Sequence, residues 1–86
     1  MNIHVSNLSE HICADDLKSL FAAYGQVLMA VVFRDPENRR APGTAIVEMP
    51  DDGQATRAID GLNHTLLGGE KIQLHEVRHK TRVRRN

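Results

Sequence analysis

The chain has 86 residues, enough for one small domain, and its 11 basic and 11 acidic side chains give a formal net charge of zero. Its one cysteine, Cys13, excludes an internal disulfide and a metal site built on cysteines. No apolar run is long enough to span a bilayer, and Met1 to Val5 lacks the basic and apolar regions of a secretory signal, so we expect a cytoplasmic protein without a membrane segment.

The first third of the chain predicts a strand, a helix and a second strand. Apolar and polar residues alternate from Ile3 to Ser6, as in a half-buried strand. Four residues then follow at the spacing i, i+3, i+4 and i+7, which gives a helix one apolar face: Leu17, Leu20, Phe21 and Tyr24. Gly25 is expected to end this helix, and the β-branched run from Val27 to Phe33 predicts the second strand.

The remainder predicts a strand, a helix and a last strand. A polar loop with two prolines spans residues 34–43, and Thr44 to Met49 reads as a strand. Residues 50–53 supply a stop and a helix cap. The helical spacing then recurs at Ala55, Ala58, Ile59 and Leu62. Gly68 and Gly69 predict a turn before the last strand, Lys71 to Val77.

The element order is therefore β-α-β-β-α-β, with one apolar stripe on each helix. Two such helices can cover only one face of a four-stranded sheet, so we predict an α+β, ferredoxin-like fold with an antiparallel sheet and both helices on one face. Alternation directs six side chains toward the helices: Ile3, Val5, Ala45, Val47, Ile72 and Leu74. On the helices, Leu17, Phe21, Ile59 and Leu62 should be almost completely buried.

The other sheet face is left open, and function is expected there. The same alternation places seven side chains on it: His4, Ser6, Thr44, Ile46, Glu48, Gln73 and His75. Met29, Val31 and Phe33 are predicted to join them, although the second strand is apolar on both faces and its pattern alone leaves this phase open.

Two segments resemble the paired motifs of the RNA recognition motif family. Ile3-His4-Val5-Ser6-Asn7-Leu8 resembles the family's hexamer on the first strand, and Pro42-Gly43-Thr44-Ala45-Ile46-Val47-Glu48-Met49 resembles its octamer on the third. Both helix patterns fit the family as well, and the resemblance is closest to short single-domain bacterial members. It covers residues 1–77, which we take as the domain, and leaves residues 78–86 as a basic tail.

The resemblance implies a binding module for single-stranded RNA, not an enzyme, without a cofactor. The family usually carries aromatic rings at three positions that are His4, Thr44 and Ile46 here, and a basic residue where this chain has Pro42. A stacked ring contributes about 1–3 kcal/mol per base, so modest affinity and low sequence selectivity are expected. An outward-facing Phe33 would supply one replacement ring.

The predicted RNA contacts come from the open face, one loop and the tail. On the sheet they are His4, Ser6, Phe33, Thr44, Ile46, Gln73 and His75. Five cations are predicted to reach phosphates: Arg39, Arg40, Arg78, Lys80 and Arg82. His4 and His75 are expected to be neighbours, but no third ligand at suitable spacing supports a metal site.

The charges are segregated along the chain. Residues 1–77 hold six cations and all 11 acids, a net charge of −5, whereas residues 78–86 hold five cations and no acid. Two interpretations of the tail remain open: a basic arm that reaches the phosphate backbone, and a solvated end that keeps the protein soluble.

A second function is also open. Met29, Val31, Phe33 and Ile46 would together form an exposed apolar patch, and such patches often mark protein contacts. The alternative hypothesis is therefore a protein-interaction domain that uses this face to form a homodimer or to bind a protein partner.

Overall fold

The computed structural model describes residues 1–38 and 40–77. In chain order its elements are β1 (Asn2–Leu8), α1 (Ala14–Ala22), β2 (Met29–Phe33), β3 (Gly43–Glu48), α2 (Asp52–Leu62), β4 (Leu66–Leu67), β5 (Glu70–Lys71) and β6 (Gln73–Val77).

Four of the strands form one antiparallel sheet in the order β2-β3-β1-β6. The six side chains predicted to face the helices are all buried, and they form one core with Leu17, Phe21 and Leu62 of the helices. Because the helical residues of this core come from both helices, the predicted two-layer arrangement with one open face is confirmed.

Local hydrogen bonds explain where the helices begin. Cys13 precedes α1, and its backbone N–H donates to the Asp16 carboxylate at 3.0 Å. The Cys13 thiol lies 3.3 Å from the same carboxylate, and these two hydrogen bonds hold the pKa of Asp16 below its usual value. A cap for α2 was predicted within residues 50–53, and it is Asp51, whose side chain accepts from the Gln54 N–H at 3.0 Å.

Two details of the sequence prediction are wrong. Ile59 is half-buried, because Ala55, Ala58 and Leu62 occupy the centre of the α2 stripe and Ile59 lies on its flank. The last strand is also divided: β5 pairs with β4 in a separate hairpin, while β6 alone joins the sheet. The cause is Ile72, which exchanges backbone hydrogen bonds with residues 64 and 65 and not with β1.

The connection between β1 and α1 is fixed to the end of β2 by Arg34. The Arg34 Nη2 group donates to the carbonyl of Ser9 at 2.9 Å and also to the carbonyl of Ile12. Its Nη1 group is buried beside Gly43. A Cβ atom added at Gly43 would lie only 2.7 Å from this Nη1 atom. Glycine at position 43 therefore leaves the room that this guanidinium needs, and the two loops at this end of the sheet are held together.

Candidate nucleic-acid interface

The open face consists of three rows of side chains that run across the strands. Strand register sets the middle row as Val31, Ile46, His4 and His75. The row on one side of it is Met29, Glu48, Asn2 and Val77. On the other side, Phe33 is opposite Thr44, and Ser6 is opposite Gln73. The face is therefore largely apolar on β2 and more polar on β1 and β6.

The exposure of the β2 side chains shows which of them face the open side of the sheet, a point that the sequence left open. Met29, Val31 and Phe33, which we call the apolar stripe, are 41%, 38% and 53% exposed, whereas Ala30 between them is buried. Their predicted place on the open face is confirmed. Phe33 is the one aromatic residue of the stripe, and its side chain is exposed on an edge strand of the sheet.

The two histidines predicted to be neighbours do lie side by side. Their ring centroids are 4.8 Å apart, with 40° between the ring planes. His75 is exposed, whereas His4 is half-buried, and its Nδ1 atom is buried without a hydrogen-bond partner among the described residues. Partial burial lowers the pKa of His4 below its ordinary value of 6.5, and the nearby His75 lowers it further. The more accessible ring of the pair is thus His75.

Some of the other predicted contact residues belong to the described structure, and the rest lie outside it. Ser6, Thr44 and Ile46 are half-buried on the open face, and Gln73 is exposed there. Arg40 is exposed in the loop between β2 and β3. Four predicted contacts lie outside the described residues: Arg39, Arg78, Lys80 and Arg82.

Two adjoining cavities lie at the end of the sheet where Phe33 and Thr44 meet. The larger has a volume of about 640 Å³ and is lined by Glu10, Arg34, Asp35, Pro36 and Arg40. The smaller, about 260 Å³, shares Glu10 and Arg40 with the larger. Glu10 and Arg34 were not among the site residues predicted from the sequence. The available signal was positional, since Arg34 directly follows the last residue of the apolar stripe.

Two kinds of feature are absent from the described part of the chain. It contains no group of three or more His, Cys, Asp or Glu side chains arranged to hold a metal ion. Neither α1 nor α2 has the length and apolarity needed to cross a lipid bilayer. The chemistry that the open face does offer is planar rings, apolar surface and hydrogen-bonding groups within a few strand spacings of one another.

Comparison of the sequence with known proteins gives one matching family model and several relatives. The family model described as RNA recognition motif matches residues 3–73. The predicted RNA-binding protein RbpF of Nostoc sp. is 36% identical over 80 residues, covering 93% of this chain and 76% of its own length. The predicted RNA-binding protein RbpD of the same organism is 36% identical over 85 residues, covering 99% and 90%.

A solved structure agrees with these relatives. The crystal structure of RNA Binding Protein PG1 superimposes with a TM-score of 0.83 at 38% identity, covering 93% of this chain and 96% of that one. The family match covers most of the chain and runs from β1 to the first residue of β6. The chain therefore belongs to the RNA recognition motif family.

Proposed function

We propose that the protein binds single-stranded RNA across the open sheet face, with modest affinity and low sequence selectivity along that face. Membership of the RNA recognition motif family and similarity to RNA-binding proteins support this function. The observation that carries it is the presence of two exposed rings, Phe33 and His75, on the face that the helices leave uncovered.

The two rings suit bases of an extended strand. Phe33 and His75 lie on opposite edge strands, so three strand spacings of about 4.8 Å separate them, about 14 Å across the sheet. A base stacked on each ring would contribute about 1–3 kcal/mol without reading its sequence, because every base has a π face. Thr44 and Ile46 are half-buried on the sheet between the two rings, and they offer a base no further aromatic side chain.

Phosphate contacts are proposed for cations around the face. Arg40 is exposed beside it, and Arg39 and the tail cations Arg78, Lys80 and Arg82 are proposed to act in the same way. Residues 1–77 carry a net charge of −5, so the domain alone repels a polyanion and the tail is needed to offset that repulsion.

Restoring the family's rings tests the proposal. His4→Tyr combined with Ile46→Phe adds two stacking surfaces in the middle row without altering the buried core. Affinity for single-stranded RNA should rise, by up to about 2–6 kcal/mol for two rings, when measured by fluorescence anisotropy. Leu66→Phe is the matched control, because it adds a ring to the exposed β4–β5 hairpin outside the open face. An equal gain in the control, or no gain in the double variant, would contradict the proposal.

The apolar stripe favours a second candidate function. Met29, Val31 and Phe33 together with Leu28 present four exposed apolar side chains along one edge of the sheet. A surface of this kind suits a protein contact or a homodimer. If that contact is the function, the same double variant should weaken self-association in sedimentation experiments while RNA affinity stays negligible.

A further inference from the structure

The two adjoining cavities lie at the end of the face over which the RNA strand is proposed to run. Arg34 follows Phe33 directly, and Glu10 comes from the loop after β1 that Arg34 holds in place. Phe33, on which a base is proposed to stack, is therefore one residue along the chain from a residue that lines the larger cavity. The larger volume, about 640 Å³, is within the range of about 300–1,000 Å³ found for small-molecule pockets.

The charges around the larger cavity favour a neutral ligand group over a phosphate. Two carboxylates, Glu10 and Asp35, face two guanidinium groups, Arg34 and Arg40, so the lining has no net charge. Two of these groups are already engaged in holding the loops. Arg34 donates to backbone carbonyls, and Asp35 accepts from the Glu37 N–H at 2.9 Å.

Glu10 and Arg40 remain available to a ligand, and both line both cavities. The Glu10 carboxylate lies 3.8 Å from the imidazole Nε2 of His11, which is too long for a hydrogen bond. In the described part of the chain, no hydrogen bond or ion pair engages the Arg40 guanidinium. The site therefore offers two adjacent acceptors on a carboxylate and a fork of donors on a guanidinium.

Guanine is the base that matches this pair of groups. Its Watson–Crick edge presents two adjacent donors, N1–H and N2–H, which fit the two oxygens of one carboxylate. Adenine and cytosine present one donor beside an acceptor, and uracil places its donor between two acceptors. Guanine O6 and N7 are in addition the acceptors that arginine binds in a bidentate manner.

We infer that the cavity between the β1–α1 and β2–β3 loops holds one guanine base of the bound strand. In this inference, which rests on the proposed RNA-binding function, Glu10 accepts from N1–H and N2–H, and Arg40 donates to O6 and N7 in place of the phosphate contact proposed for it above. The sheet face stays tolerant of sequence, and selectivity is confined to one position of the strand.

A guanine scan tests the inference. The 86-residue chain is titrated with labelled octauridylate and with eight variants of it, each carrying one guanosine at a different position. Affinity should rise at one position, or at two neighbouring ones, by about 5- to 150-fold over octauridylate. A profile in which no position gains would overturn the inference.

Two further measurements identify the groups responsible. Inosine at the preferred position lacks the N2 amino group, so part of the gain should be lost with the wild-type protein. Glu10→Gln should remove both the guanine preference and the difference between guanosine and inosine, because an amide presents a donor where the base also donates. Glu37→Gln is the matched control, since it removes the same charge from the neighbouring loop outside both cavities. A guanine preference that survives Glu10→Gln would overturn the inference.

The outcomes separate this inference from the function on which it rests. If octauridylate binds and Phe33→Ala weakens that binding while the scan is flat, RNA binding stands and the guanine site fails. If neither octauridylate nor any guanosine variant binds, both fail. A gain that Glu10→Gln abolishes and Glu37→Gln preserves supports the guanine site.

Discussion

His4 and His75 are in contact at the centre of the open face, where partial burial and the nearby His75 both lower the pKa of His4. Two imidazoles with centroids 4.8 Å apart repel each other when both are charged, and partial burial already disfavours a charge on His4. Alternation along two strands puts both residues on the open face, and the family resemblance, in which the first and last strands pair, predicts that they are neighbours. It could not predict which ring is accessible, because that depends on how the two rings tilt against each other.

At the residue scale, this contact makes stability depend on pH. The pKa of His4 is lower in the folded protein than its ordinary value of 6.5, so the unfolded chain binds the proton more readily. The free energy of unfolding should therefore fall as the pH drops from above 6.5 through the lowered pKa. Urea unfolding at pH 7.5 and 5.5 measures the difference, which His4→Gln should reduce. His64→Asn, at an exposed histidine with a φ of 68°, should leave it unchanged, and an equal effect of both variants would contradict this origin.

At the scale of elements, the helix stripes and strand alternation were predictable because each is set by neighbours within one turn or one strand. The division of the last strand was not predictable, since it depends on Ile72 pairing with residues 64 and 65 across the Gly68–Gly69 turn. Burial also varies along the apolar stripe of α1. Leu17 and Phe21 are fully buried, whereas Leu20 is half-buried against the same core.

This difference within α1 predicts unequal effects of two truncations. Phe21→Ala should reduce the free energy of unfolding by about 3–5 kcal/mol, because it leaves a cavity in the core beneath the sheet. Leu20→Ala should cost less than Phe21→Ala, because part of its side chain is in water in the folded state. Chemical denaturation of both variants provides the comparison. Equal losses would place Leu20 in the core and contradict the assigned helix phase.

At the scale of the whole molecule, loops that are far apart in the sequence build the candidate guanine site. Glu10, Arg34 and Arg40 belong to two separate loops, and none of them falls in a recognisable motif. Arg40 was predicted from its loop and its charge, whereas the hydrogen bond by which Arg34 joins the two loops was not predictable from the sequence. The opposite charges of the domain and the tail, in contrast, could be read directly from the sequence.

That charge separation predicts how salt affects RNA binding. Each phosphate neutralised on a single strand contributes about −0.7 to the slope of log affinity against log salt concentration. If all five tail cations engage, deletion of residues 78–86 should flatten this slope by about 3.5, and partial engagement should flatten it in proportion. Titrations at several salt concentrations measure the slope. An unchanged slope after the deletion would make the tail a solvated end without a part in binding.

The position of the apolar stripe has a consequence for the colloidal behaviour of the protein. β2 is an edge strand, so one side of its backbone has no partner strand in the described structure, and Met29–Phe33 contains neither a proline nor a charged residue. Charges and prolines are the usual features that prevent such edges from pairing with other chains. The ligand-free protein therefore exposes an aggregation-prone segment, and any ligand that covers the stripe also acts as its solubilising agent.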